Sequence, residues 1–158
     1  MQPVECLAPQ TPGKALVRGT VVLGVTASDS HVVANHMISI YLRGQGFHVV
    51  NLGPCTPTEE FMRVAATAPD LVAVLIGSLN GHALDDLADL PRWRADYQIH
   101  APIIVGGNLS VGALKSENVA GKLMALGVDA VIEHPRQILT TLLHLPSQRP
   151  TRESLHVR

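Results

Sequence analysis

An acid two residues before a histidine, Asp29-Ser30-His31, directly follows the apolar run Val21-Val22-Leu23-Gly24-Val25. A histidine at the carboxyl end of a buried strand can offer one imidazole nitrogen to a metal. The carboxylate then grips the other ring nitrogen and fixes the tautomer. One such triplet is common by chance. It gains meaning from two later stretches, Gly77-Ser78-Leu79 after the third apolar run and Gly106-Gly107-Asn108 after the fourth. All three lie where a parallel sheet gathers its ligand.

Each stretch also has a plainer reading. His31 could be a loop histidine bonded to a neighbouring backbone group. Gly77-Ser78-Leu79-Asn80-Gly81 could be a turn that uses Gly and Asn for permissive backbone angles. In the functional reading, small residues let a flat or bulky ligand approach the backbone and Ser78 offers a hydroxyl. Paired glycines at a strand end, Gly106-Gly107, point to close approach of a ligand group. The other seven histidines make no zinc pattern, and there is no CxxC or HExxH. A self-contained protein metal site is therefore not expected. A single axial ligand to a metal already chelated by a macrocycle needs only one histidine.

The elements that must carry these residues are five apolar runs, read as strands: Thr20–Thr26, Phe47–Leu52, Leu71–Gly77, Pro102–Gly106 and Asp129–Ile132. None alternates with polar residues, which suits strands buried on both faces of a parallel sheet. Their starts, at 20, 47, 71, 102 and 129, leave room between strands for a helix and two loops, the βαβ unit. The helical marks are a stripe of Val33, Met37, Ile40 and Tyr41 closed by Gly44 or Gly46, and a capping-box pattern at Thr56-Pro57-Thr58-Glu59 with Pro57 first in the helix. A Leu84, Leu87, Leu90 stripe ends or bends at Pro91, a helix over Leu114–Leu126 stops at Gly127, and Ile138, Leu139, Leu142 and Leu143 form a last stripe. Alternating β and α of this length predict an α/β, doubly wound, flavodoxin-like five-stranded parallel sheet of order 2-1-3-4-5. Its ligand belongs beyond the strands' carboxyl ends.

Composition narrows the class. The 158 residues suffice for one well-buried core, and 46% are apolar but only 3% aromatic, so the core must be Val, Leu, Ile and Ala. A net charge of −1 gives no basic excess for nucleic acid. Cys6 and Cys55 make no disulfide framework, no run is long enough to span a membrane, and Met1 to Gly19 has no apolar block. A reducing, cytoplasmic setting is expected, without a membrane partner.

The three motifs bring a resemblance into view. The chain resembles the small, cobalamin-binding subunit of glutamate mutase (methylaspartate mutase), within the Rossmann-like B12-binding domain superfamily. That family carries Asp-x-His-x-x-Gly, then Ser-x-Leu, then Gly-Gly. Here they read Asp29-Ser30-His31-Val32-Val33-Ala34, Gly77-Ser78-Leu79 and Gly106-Gly107. Similarity extends to Val22–Val25, Gly46–Gly53 and Val105–Gly112 and covers roughly Gly19 to Leu145. Ala34 stands where the motif has Gly, and Gly77 where it has the first Ser.

The resemblance implies a flexible segment 1–18, a cobalamin-binding domain 19–145 and a disordered tail 146–158. It implies adenosylcobalamin bound with its benzimidazole detached from cobalt and His31 in the vacated axial position, oriented by Asp29. Ser30, Val32, Gly77, Ser78, Leu79, Gly81, Gly106, Gly107 and Asn108 would complete the cofactor site. It implies an isomerase, interconverting L-glutamate and threo-3-methylaspartate by radical rearrangement, in which this chain is silent without a large TIM-barrel subunit. A corrinoid methyl carrier or a cobalamin-responsive regulator would be expected to add a helical or DNA-binding module, for which the 18 residues before Gly19 leave no room. A flavodoxin-like scaffold that has lost B12 binding is the remaining alternative, prompted by Ala34 and Gly77.

Overall fold

The computed structural model describes residues 18–109 and 118–144. The expected terminal segments, apart from Arg18, and the start of the Leu114–Leu126 helix lie outside these residues. All five runs are strands: β1 (Thr20–Thr26), β2 (His48–Thr56), β3 (Leu71–Ser78), β4 (Ile103–Gly107) and β5 (Ala130–Ile132). They pair in parallel in the order β2-β1-β3-β4-β5, as the alternation of strands and helices predicts. β2 runs four residues past its expected end. It does so by taking extra residues at two register shifts against β1, with Gly53 and Cys55 in the left-handed backbone region there.

Strand periodicity sorts the core onto two faces. On one face Val22, Val74, Ile76, Ile103 and Val105 meet α2 (Thr58–Thr67), α3 (Ala83–Asp86), α4 (Leu90–Asp96) and α5 (Val119–Ala125). Phe61, Met62, Ala83, Leu90 and Leu123 are their buried contributions. Gly24 of β1 is filled from this side, since a Cβ there would lie 2.7 Å from the Phe61 ring. On the other face Val21, Leu23, Ala73, Leu75 and Ile104 meet, among the described residues, two helices, α1 (Val32–Gly44) and α6 (Gln137–His144), through Leu42, Ile138 and Leu142.

Two local expectations are corrected, and one helix takes an orientation that its stripe left open. The α1 stripe exists but faces outward: Val33 is 74% and Met37 61% exposed, while Asn35, Ser39 and Leu42 are buried. The helix turns Asn35 and Ser39 toward the sheet, and of these two Asn35 borders a cleft. The capping box does not form. The Thr56 hydroxyl donates upstream to the Leu52 and Gly53 carbonyls, Thr58 donates to the Asp86 carbonyl, and Pro57 occupies the N-cap. Pro91 opens a helix instead of ending one: it sits in the first turn of α4, where its missing N–H costs nothing. Gly127, by contrast, does stop α5, in the left-handed region at φ +93°.

The glycines at the strand ends differ in kind. A Cβ on Gly107, at φ +124°, would lie 2.2 Å from the Ser78 carbonyl oxygen, so the backbone of β3 itself demands this glycine. A Cβ on Gly77 would meet nothing closer than 3.6 Å. Gly107→Ala should therefore cost about 2 kcal/mol or more in urea unfolding, and Gly77→Ala less than about 1 kcal/mol. Equal losses would contradict this assignment.

Candidate functional site

Asp29 lies just past the end of β1, and its backbone ties two strands together. Its N–H donates to the Thr26 carbonyl at 3.0 Å, and its own carbonyl accepts from the Cys55 N–H at 2.9 Å. The side chain is turned inward and the residue is 1% exposed. One carboxylate oxygen accepts from the His31 N–H at 2.9 Å and faces His31 Nδ1 at 2.6 Å. The other accepts from the Leu79 N–H and, at 3.2 Å, from the Asn80 N–H. Burial opposes the charge, but the amides of Leu79, His31 and Asn80 and the His31 ring together hold the Asp29 carboxyl below its ordinary value near 3.8.

An ionised carboxylate only accepts, so His31 Nδ1 must carry the proton. The lone pair of the neutral ring then sits on Nε2. The His31 side chain is 57% exposed, and it stands at the N-cap of α1 on the border of a cavity of about 330 Å³.

That cavity is the gap between α1 and α6, with the sheet as its floor. Leu23, Val25, Leu75 and Ile104 supply the floor, Ala34, Asn35 and Ile38 one wall, and Pro135 and Ile138 the other. Toward the carboxyl ends the floor is nearly free of side chains, because Gly77 and Gly106 pair directly across β3 and β4. Ile132 of β5 packs over Gly106, so the free space lies over Gly77. The result is an apolar slot, flat on one side, with an imidazole at its mouth.

The expected residues separate by geometry. His31, Gly77, Leu79, Gly106, Gly107 and Asn108 line the cavity, with Asp29 directly behind His31. Ser78 does not line it. As the next residue after Gly77 it points to the opposite face, fully buried, and its hydroxyl contacts the Asn80 side chain at 3.3 Å. Ser30 and Val32 flank His31 on the exposed side, and Gly81 takes φ +84° in the turn before α3, outside the cavity lining.

Sequence reading missed Asn80 as a bridge: its Nδ2 donates to the Ser28 carbonyl and hydroxyl and its Oδ1 accepts from the His82 N–H. It also missed the second wall. Glu133, His134 and Pro135 border the cavity, and Gln137 Oε1 accepts from the N–H groups of Glu133 and His134. Their position just after the last strand was the available signal.

If Asp29 sets both loop and tautomer, Asp29→Ala should speed amide exchange at Leu79 and Asn80. It should also shift the His31 ring away from the Nδ1–H form seen by its ¹⁵N chemical shifts. The lost charged hydrogen bonds should lower stability by about 1.5–3 kcal/mol. An unchanged tautomer with unprotected loops in the parent chain would contradict the geometry.

The B12 binding domain family matches residues 19–136. The glutamate mutase sigma subunit of Halobacterium salinarum is 43% identical over 112 residues, which is 71% of this chain and 74% of that one. Glutamate mutase sigma subunit 1 of Haloarcula marismortui is 40% identical over 121 residues, 77% of this chain and 79% of that one. A cobalamin-binding protein of known structure from Desulfitobacterium hafniense superposes with a TM-score of 0.64 at 19% identity. It covers 80% of this chain, which spans 58% of that longer one, and at this identity it attests the fold alone. With the match over residues 19–136 and relatives at 40–43% identity, the chain belongs to the B12-binding domain family and, within it, to the glutamate mutase sigma subunits.

Proposed function

We propose that this chain is the cobalamin-binding small subunit of a carbon-skeleton mutase, with L-glutamate and threo-3-methylaspartate as the substrate pair. One observation carries the reading: the Asp29 carboxylate accepts a hydrogen bond from the Nδ1–H of His31 and leaves the Nε2 lone pair bare at the mouth of an apolar cleft. Among the described residues no three His, Cys, Asp or Glu side chains gather as a metal site. A lone imidazole does not hold a free ion well, but it suits a metal whose other positions a macrocycle fills.

The residues fit such a group. His31 Nε2 would take the axial position below the cobalt, and Asp29 would raise its donor strength. The slot over Gly77, between α1 and α6, would receive the displaced planar base, which needs apolar walls and a floor without side chains. Ala34 narrows the wall by only one methyl group, and Gly77 widens the floor, so neither departure from the family motif closes the slot. Of the expected contacts, Ser30, Val32, Ser78 and Gly81 would act from the rim or the backbone rather than inside the slot.

We take adenosylcobalamin as the bound form, which supplies radical chemistry by homolysis of its cobalt–carbon bond. This chain's residues bind and orient; among the described residues none stands where a substrate amino acid could be held and shielded. A large barrel subunit would supply that chamber, so the small subunit alone should be inactive. We place the complete enzyme in the cytoplasm; among the described residues no helix is long and apolar enough to cross a membrane.

Full-length protein mixed with hydroxocobalamin and freed of unbound cofactor should retain it with the visible spectrum of base-off, histidine-ligated cobalamin. His31→Ala should weaken retention about 10- to 100-fold or change the spectrum. Retention identical in wild type and His31→Ala would refute axial ligation.

A further inference from the structure

Among the described residues, three buried side-chain oxygens have no hydrogen-bond partner: Thr26 Oγ1, Asn35 Oδ1 and Ser39 Oγ. Buried polar groups are nearly always paired, so each requires a reason. Asn35 differs from the other two because it also lines the cleft, although the residue is only 4% exposed.

The orientation of its amide follows from the neighbouring bonds. The Gly53 N–H donates to one end of the Asn51 side chain at 2.9 Å, so that atom is the oxygen. The same oxygen lies 2.7 Å from the Asn35 side chain, so Asn35 must present Nδ2 to it. Turning either amide over would leave a donor facing a donor or an oxygen facing an oxygen. Asn35 Oδ1 is thereby held at the other end, an acceptor without a donor, on the wall between Ala34 and Ile38. Leu23, Val25, Leu75, Ile104 and Ile138 elsewhere in the cleft cannot donate.

Resting on the cobalamin reading above, we propose that Asn35 is a specificity-determining residue that accepts a hydrogen bond from a ribose hydroxyl of the cofactor's nucleotide tail. Chemistry selects this partner. The tail's phosphate oxygens and the freed base nitrogen are acceptors, which the Asn35 oxygen would repel. The ribose hydroxyls beside the base are donors. Asn51 and Gly53 fix the amide before the ligand arrives, so ordering it costs little on binding.

The test compares wild type with Asn35→Leu and Asn35→Ala in the full chain, measuring hydroxocobalamin affinity by titration and cofactor-free stability by urea unfolding. Asn35→Leu removes both the unpaired acceptor and the Nδ2 bond to Asn51, whose oxygen keeps the Gly53 N–H, so the two effects offset and the stability of the chain should change little. Loss of one neutral hydrogen bond should weaken cobalamin binding about three- to tenfold in both variants. If one variant does not fold, the other provides the comparison. Unchanged affinity, or a loss that merely tracks reduced stability, would overturn the role of Asn35. If wild type itself retains no cobalamin, the reading of the whole site fails and this inference falls with it.

Discussion

A buried carboxylate that pairs with no lysine or arginine among the described residues survives only if hydrogen bonds replace the water it has lost. Asp29 meets that condition with four donors, two from His31 and one each from Leu79 and Asn80. The donors come from two different strand-to-helix loops, so the charge cannot be satisfied unless β1 and β3 end side by side. Chain order alone would not place these loops together; the 2-1-3 strand order does. One buried charge therefore couples the sheet topology to the position and tautomer of His31. The same topology places Gly77 opposite Val25 on one side and Gly106 on the other, which clears the floor beneath the imidazole.

The two faces of the sheet divide the work between stability and binding. Four helices close one face, and Phe61 even fills the space above Gly24. Among the described residues α1 and α6 alone cover the other, and they stand apart over the carboxyl ends. α1 shows the consequence for sequence: its inward residues include Asn35 and Ser39, while Val33, Met37, Ile40 and Tyr41 face away from the sheet. Nothing among the described residues covers that outer stripe.

Strands were legible because a doubly covered sheet writes itself as uninterrupted apolar runs, and the even spacing of those runs implied the strand order. Asp29, His31 and the two glycine-bearing loops were legible because they stand at strand ends, where period and type coincide. Periodicity alone left the facing of α1 open, since an apolar stripe reports that a helix exists and not which way it turns when a cleft lies beneath it. Ser78 follows Gly77 by one residue of strand register, which turns its side chain to the face opposite the cleft. The bridge from Asn80 to Ser28 joins segments distant in sequence, which no local pattern encodes, and the wall from Glu133 to Pro135 was marked only by its place just after β5.

The central claim is that His31 Nε2 is the axial donor to cobalt, with the cofactor's own base displaced. The electron paramagnetic resonance spectrum of protein-bound cob(II)alamin tests it most directly, because one axial nitrogen splits the cobalt lines according to its nuclear spin. Protein grown with ¹⁵N-histidine and loaded with unlabelled cobalamin should change each triplet into a doublet. Triplets that persist with labelled histidine would show that the cofactor keeps its own base, and would contradict the account.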